Sequence, residues 1–220
     1  MDSNHFQAEG YSTQRAVLPP EEIETIKSQL PDLKDAAGSR NLLLNPFIRE
    51  LSHDQRLQNI VANCLDKPGR PIRAILFDKT LQRNWALGWH QDNKIPVKER
   101  HEVEGYVSWS VKEGVLHCRP PITILENIVA LRVAIDPNDE TNGPLCVIPA
   151  SHRHGFLTRE QAKRLTQKDQ IICLANPGDV VAMSPLTLHC SGKVTQPKRR
   201  RVLHIEYCTR NLAPPLDWAY

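Results

Sequence analysis

The chain has 220 residues, of which 40% are hydrophobic and 24% charged, with a formal net charge of +3. This composition supports a folded core and excludes an intrinsically disordered chain. The mild charge gives no basis for binding to nucleic acid or to a membrane surface, and 17 prolines argue against a bundle of long helices.

The N-terminus and the cysteines predict the compartment. The first residues lack a basic stretch followed by an apolar one, and no run approaches 18 apolar residues, so we expect neither a signal peptide nor a membrane span. The six cysteines form no CxxC pair, which favours buried, reduced thiols over a zinc site. A soluble, cytoplasmic protein is therefore expected.

Residues 1–71 are predicted to be mostly helical. Two prolines precede a helix over residues 21–30, whose apolar side chains recur at helical spacing after an acidic first turn. Asn45 and Pro46 suit the N-cap and first position of a second helix, which we expect to continue to Cys64. These helices would support the remainder of a single domain covering the whole chain.

After residue 71 the sequence pattern changes to short β-prone runs that are separated by turns rich in Gly, Pro, Asn and Asp. The absence of regularly alternating helices argues against a doubly wound α/β fold, and the pattern predicts a β-sandwich, jelly roll or barrel over residues 72–210. One short helix is expected at residues 158–165. The predicted strands are 72–77, 85–90, 128–135, 146–148, 171–174, 180–183, 186–189 and 201–207.

Three residues have the chemistry of metal ligands. His90 and Asp92 are two apart, so on a strand their side chains would project from the same face. His189 ends a distant apolar run, and two histidines with one carboxylate suit a first-row metal such as iron while leaving positions open. Taken singly, a surface turn containing His90 and Asp92 and a hydrogen-bonded core His189 remain alternative interpretations.

A basic run over residues 198–201 leads into the last predicted strand, where one arginine could face inward and bind a carboxylate. Strand alternation leaves two candidates open. Arg201 shares its face with the more apolar side chains, which would favour it as the inward residue. Arg200 becomes the inward one if helices cover the apolar face of that sheet.

The ordered set His90-x-Asp92, His189 and an arginine eleven residues later resembles the phytanoyl-CoA dioxygenase family. Two further stretches, residues 142–152 and 177–192, resemble the same family. The resemblance covers about residues 72–208 and implies a mainly β, double-stranded β-helix (a cupin-like jelly roll) that binds Fe(II), 2-oxoglutarate and O2.

The resemblance also implies roles for individual residues. His90, Asp92 and His189 would hold iron, and Arg200, with Arg201 in reserve, would pair with the distal carboxylate of 2-oxoglutarate. Further cosubstrate contacts would come from Gln91 and Ser191, and from Arg132 at a position where the family often has tryptophan. The carboxylate of Asp92 argues for hydroxylation or another oxidation rather than halogenation.

The long segment over residues 93–127 directly follows two predicted ligands and is expected to cover the site as a lid. Trp109 and His117 are its candidates for substrate contact, although both could equally pack the lid onto the barrel. Its several cationic residues hint at a polar or anionic substrate.

These observations predict an iron- and 2-oxoglutarate-dependent dioxygenase that hydroxylates a small molecule and releases succinate and CO2. A metal-dependent cupin-like enzyme that does not use 2-oxoglutarate, or a non-catalytic binding protein of the same fold, are the alternatives. No nucleic-acid or membrane partner is expected. The sequence leaves the substrate and the oligomeric state open.

Overall fold

A computed structural model of the protein describes residues 3–33, 36 and 38–220. The N-terminal part is largely helical but contributes two strands that the sequence did not predict, β1 and β2, which are the outer strands of the larger sheet. Its elements are α1 (Ser3–Glu9), β1 (Tyr11–Gln14), α2 (Pro20–Gln29), β2 (Gly38–Ser39), α3 (Pro46–Leu51) and α4 (Gln55–Leu65).

Capping side chains decide where the N-terminal helices begin. The prediction of α2 is confirmed, and Asn45 is the N-cap of α3, because its side chain accepts from the backbone N–H groups of Phe47 and Ile48. The single helix predicted from Asn45 to Cys64 is wrong. Asp54 accepts from the backbone N–H of Arg56 and starts α4 as a separate helix. Within the described part of the chain, no helix has the length and apolar character needed to cross a membrane.

Two antiparallel sheets form the core of a jelly roll. The six-stranded sheet has the order β1-β11-β8-β13-β3-β2, and the four-stranded sheet has the order β10-β9-β12-β4. The chain is therefore mainly β, as the strand pattern predicts. The strands not yet given bounds are β3 (Arg70–Lys79), β4 (Leu87–His90), β8 (Ile128–Ala134), β9 (Leu145–Val147), β10 (Ile171–Cys173), β11 (Val180–Met183), β12 (His189–Ser191) and β13 (Arg200–Cys208).

Most predicted strands are confirmed within two residues at each end, but one is displaced. The run over residues 186–189 forms a turn and an irregular stretch, and strand β12 begins only at His189. The predicted short helix is α6 (Arg159–Leu165), for which Thr158 and Gln161 form a capping box. All six cysteines are free, and four are buried, whereas Cys146 and Cys190 are half-buried.

The segment over residues 93–127 forms a third sheet, which we call the lid sheet. It contains β5 (Ile95–Val97), β6 (Val107–Lys112) and β7 (Val115–Arg119) in the order β5-β7-β6, followed by α5 (Ile122–Leu125). Buried side chains of this sheet share one apolar cluster with Leu212, Leu216 and Trp218 near the C-terminus. The lid sheet is thus anchored by the chain end as well as by the barrel.

The helices cover one face of strand β13. Leu203, Ile205 and Tyr207 belong to the main hydrophobic cluster, together with residues of α2, α3 and α4. The alternate positions Arg200, His204 and Glu206 are also buried, but they point to the opposite face, where they line a cavity. The apolar face of β13 is therefore its outer face, and its polar face is the inner one.

We expect the helix-to-sheet interface to dominate stability. Leu57 of α4 is 0% exposed, so Leu57→Ala should lower the free energy of unfolding by about 3 kcal/mol through lost burial and a cavity. Leu44→Ala is the matched control, because Leu44 is 62% exposed and should change stability by less than about 0.5 kcal/mol. Urea denaturation measures both, and similar losses would contradict this packing.

Candidate functional site

The side chains of His90 and His189 lie close together because their strands, β4 and β12, are paired. In the pairing of β4 with β12, His90 lies directly opposite His189, and their ring centroids are 4.1 Å apart. Asp92 follows β4, and its carboxylate oxygens lie 3.7 Å from His90 Nε2 and 3.6 Å from His189 Nε2. Potential ligand atoms of all three residues fall within 4.8 Å of one another, a spacing that would fit one metal ion.

Hydrogen bonds fix the orientation of both imidazoles. His90 Nδ1 lies 2.8 Å from the carbonyl oxygen of Gly88, and His189 Nδ1 lies 2.8 Å from that of Thr187. A carbonyl oxygen only accepts, so each Nδ1 carries the proton and each Nε2 has a free lone pair that faces Asp92. Burial lowers the pKa of His189 to about 4, which keeps this imidazole neutral and able to ligate.

The Asp92 carboxylate adds an anionic oxygen beside the two imidazoles. Burial acts against its charged form, but nearby basic groups that include the guanidinium of Arg73 outweigh burial and hold the pKa of Asp92 below its usual range. Its backbone N–H donates to the carbonyl oxygen of Pro185, 2.9 Å away, which attaches this loop to the turn before β12. The trio thus offers two neutral nitrogens and one anionic oxygen, a donor set that suits Fe(II).

A cavity of about 220 Å³ adjoins the trio, and its inner end is strongly basic. Arg200 of β13 pairs in register with Lys79 of β3, and both side chains line the cavity. Arg200 is 1% exposed, and its Nε donates to the carbonyl oxygen of Asn142 at 3.1 Å, while its buried Nη1 has no hydrogen-bond partner among the described residues. Burial, with the adjacent Arg132, lowers the pKa of Arg200 to about 9.

Lys79 is a cavity residue that the sequence analysis missed. Its Nζ donates to Ser191 Oγ at 2.9 Å and to the carbonyl oxygen of Gly192 at 2.6 Å, and lies 4.8 Å from the ring centroid of Trp85. Burial, followed by repulsion from Arg200 and Arg132, lowers the pKa of Lys79 to about 7. The predicted strand ended at residue 77, and continuing its alternation by one step would have placed Lys79 on the same face.

A chain of buried charges forms the neighbouring wall. Arg132 Nη1 donates to His204 Nδ1 at 3.1 Å, so the proton of His204 is on Nε2 and is donated to Glu206 Oε1, also at 3.1 Å. Glu206 accepts a second bond from Arg73 Nη2. Burial opposes the charged form of Glu206, but Arg73 and His204 lower its pKa overall. Arg132 is therefore a buried cation whose nearest hydrogen-bond partner is a neutral ring.

The two candidate arginines of the basic run have different surroundings. Arg200 faces the cavity, whereas Arg201 makes a two-pronged ion pair with Asp136, with N–O distances of 2.8 and 2.9 Å. Since Asp136 occupies its guanidinium outside the cavity, Arg201 is not the inward arginine. Ser191 and Arg132, also expected near the cosubstrate, do line the cavity.

Three predicted contact residues are not brought to the cavity. The Gln91 amide donates to the carbonyl oxygens of Gly155 and Leu186 and accepts from the N–H of Leu157, because alternation turns it away from His90 and Asp92. Trp109 packs on the apolar cluster of the lid sheet. His117 is 1% exposed, donates from Nδ1 to the carbonyl oxygen of Val115, and is absent from the cavity wall. In this structure both lid residues lie away from the cavity wall.

The buried Arg73–Glu206 pair generates a stability prediction. Glu206→Gln should cost about 3 kcal/mol of unfolding free energy, because it leaves the guanidinium of Arg73 buried without its counter-charge. Glu102→Gln is the matched control, since Glu102 pairs with Arg100 on the surface and should change stability little. Thermal and urea unfolding compare the two variants, and equal effects would contradict a structural role for the buried pair.

Comparison with known proteins agrees with this geometry. The family model described as phytanoyl-CoA dioxygenase (PhyH) matches residues 6–202. No curated protein matches the chain significantly.

Two solved structures have the same overall fold. AviO1 from Streptomyces viridochromogenes Tue57 is similar with a TM-score of 0.70 and 20% identity over 97% of this chain and 96% of that one. HygX from Streptomyces hygroscopicus, solved with nickel and 2-oxoglutarate, has a TM-score of 0.67 and 19% identity over 94% and 85%. The match to PhyH covers most of the chain, and the chain therefore belongs to the phytanoyl-CoA dioxygenase family of iron(II)- and 2-oxoglutarate-dependent oxygenases.

Proposed function

We propose that the protein hydroxylates a small-molecule substrate, with His90, Asp92 and His189 as the iron ligands. Arg200 and Lys79 would bind the distal carboxylate of 2-oxoglutarate, with Ser191 and Arg132 beside it. The observation that carries this proposal is the adjacency of the ligand trio to a cavity whose inner end bears two buried cations.

The ligand assignment is supported by the donor chemistry of the trio. Both imidazoles have a free Nε2 that is aimed at Asp92, and backbone carbonyl oxygens hold both Nδ1 protons. Three protein ligands on one side of an iron ion leave positions for a chelating cosubstrate and for O2. Gln91 has a positioning role in this scheme, because it ties the loop between His90 and Asp92 to the backbone of two other loops.

The cosubstrate assignment is supported by unused hydrogen-bonding capacity. Within the part of the chain that the structure describes, Arg200 Nη1 is buried without a partner, and a buried guanidinium nitrogen in this state gains most from an anionic oxygen. Lys79 lies on the adjacent strand and adds a second cation. A cupin-like enzyme that does not use 2-oxoglutarate would not need a buried arginine that faces the cavity.

Bound iron and 2-oxoglutarate supply an O2-dependent oxidative decarboxylation that yields succinate and CO2 and drives hydroxylation of the substrate. The residues of this chain bind and orient the metal and the cosubstrate and shield them from bulk water. Arg200 and Lys79 fix one end of the cosubstrate, while the carbonyl-anchored His90 and His189 keep their lone pairs on the metal position. The walls formed by β3, β8 and β13 exclude bulk water from the inner end.

A small molecule is the substrate class that the related structures support. HygX has been solved with hygromycin B, and EctD from S. alaskensis with 5-hydroxyectoine, both together with 2-oxoglutarate. A cavity of about 220 Å³ has room for a compact ligand.

The ligand and cosubstrate roles are separable by mutation. His90→Ala should abolish stoichiometric Fe(II) binding, whereas Arg200→Ala should retain iron and weaken 2-oxoglutarate binding by about 10- to 100-fold. Arg201→Ala is the control and should keep both, since its guanidinium pairs with Asp136. Metal analysis and anaerobic titration of the visible iron–cosubstrate absorption band test this, and iron loss in both His90→Ala and Arg200→Ala would contradict it.

The lowered pKa of Lys79, about 7, predicts pH-dependent cosubstrate binding. Below this pH the free protein presents a protonated amine, and above it the amine must take up a proton to bind a carboxylate. The Kd for 2-oxoglutarate should therefore rise about tenfold between pH 7.5 and 8.5. Lys79→Met should bind weakly without this slope, and Lys163→Met on an exposed face of α6 should keep it. A slope that survives in Lys79→Met would refute the assignment.

A further inference from the structure

The cationic residues of the cavity fall into two groups at opposite ends. On β3 the alternate residues from Arg73 to Lys79 all line the cavity, a distance of about 20 Å along the strand at 3.3 Å per residue. Lys79 pairs with Arg200 at the inner end, and Arg73 pairs with Glu206 at the other. The metal-ligand trio lies between these two ends of the cavity. Its Asp92 is within 4.8 Å of Glu206 at one end, and its His189 is next but one to Ser191, which Lys79 contacts at the other end.

The end away from Arg200 contains a second cationic group, which we call the mouth cluster: Arg40, Arg73 and Lys112. Arg40 pairs at 2.6 Å with Glu113, which lies in the turn between β6 and β7 of the lid sheet, and Arg73 pairs with Glu206. Among the described residues, no carboxylate forms an ion pair with Lys112, which comes from β6 of the lid sheet. Lys112 is thus the cation of the mouth cluster that is available to pair with an anion.

The cavity carries more cationic than anionic side chains, even with Arg40 paired to Glu113. Six cationic side chains line it, against the two carboxylates Asp92 and Glu206. Iron(II) and the 2-oxoglutarate dianion cancel one another, so loading the site leaves this positive excess in place. Cations crowded in a partly buried space repel each other, and burial together with Arg73, Arg40 and Lys94 lowers the pKa of Lys112.

We propose that the mouth cluster binds an anionic group of the substrate, with Lys112 as its principal contact, so that the substrate is a small molecule bearing a carboxylate or a phosphate. This inference rests on the proposed function, because it assigns the inner cations to 2-oxoglutarate. It places the anionic group of the substrate across the metal position from the cosubstrate carboxylate. The intervening part of the substrate would then pass the metal, where oxidation takes place.

Anion binding to the loaded protein tests the proposal without knowledge of the substrate. The protein is loaded with nickel(II), which does not turn over, and saturated with 2-oxoglutarate, so that Arg200 and Lys79 are occupied. Inorganic phosphate and acetate are then titrated separately by calorimetry, with acetamide as the neutral probe. We expect at least one anion to bind and acetamide not to bind. A preference for phosphate indicates a phosphate ester, and a preference for acetate indicates a carboxylate.

Two variants that each remove one lysine charge show where the anion binds. Lys112→Gln should raise the Kd of the bound anion about tenfold, and Lys112→Arg should restore it. Lys98→Gln removes the same charge from an exposed position outside the cavity and should change the Kd less than twofold. Equal effects of Lys112→Gln and Lys98→Gln, or no anion binding by wild-type protein that does bind 2-oxoglutarate, would overturn the inference. Failure of wild-type protein to bind 2-oxoglutarate would overturn the proposed function and this inference with it.

Discussion

The antiparallel register of β13 determines how the site is built. The strand pairs with β3 on one side and with β8 on the other, so each of its inward side chains meets a defined partner. Arg200 meets Lys79, His204 meets Arg132, and Glu206 meets Arg73. A shift by one residue would turn all of these side chains towards the helices and bring Leu203, Ile205 and Tyr207 into the cavity. The apolar packing of the helices therefore also fixes the polar face.

Burying so many charges in one cavity costs free energy, and the structure offsets only part of that cost. Glu206 is bonded to Arg73 and His204, whereas Arg132 donates to the neutral His204 and lies over the ring of Phe77. Among the described residues, no carboxylate forms an ion pair with Arg200 or Lys79, and burial lowers the pKa of Arg200 to about 9 and that of Lys79 to about 7. Uncompensated buried cations stabilise a bound anion more than paired ones do, because binding need not first break an ion pair.

Local patterns predicted much of this structure, and tertiary contacts account for the rest. Asn45 and the alternation of β13 give correct local structure, because caps and strand faces depend on neighbouring residues. The break at Asp54 and the strand β1, which pairs with distant β11, were missed because a helix-compatible sequence does not reveal its long-range partners. The structure brings the three predicted ligands His90, Asp92 and His189 together, because the spacing of the first two reflects a strand. It packs Trp109 within the lid sheet, an arrangement that sequence periodicity could not indicate because it depends on distant contacts.

The two ends of the cavity share strand β3, which carries both Lys79 and Arg73, but the lid sheet contributes Lys112 to the mouth. Lys79 and Arg200 lie on central strands whose outer faces are buried under helices, so core packing holds their positions. Lys112 lies on β6, an edge strand of the lid sheet, which the barrel contacts through the Arg40–Glu113 pair. Changes in the lid sheet can therefore alter what is bound at the mouth without moving the inner cations. Under the proposed assignments, a change in the lid sheet would alter the substrate end of the cavity, while the cosubstrate end would stay on the central strands.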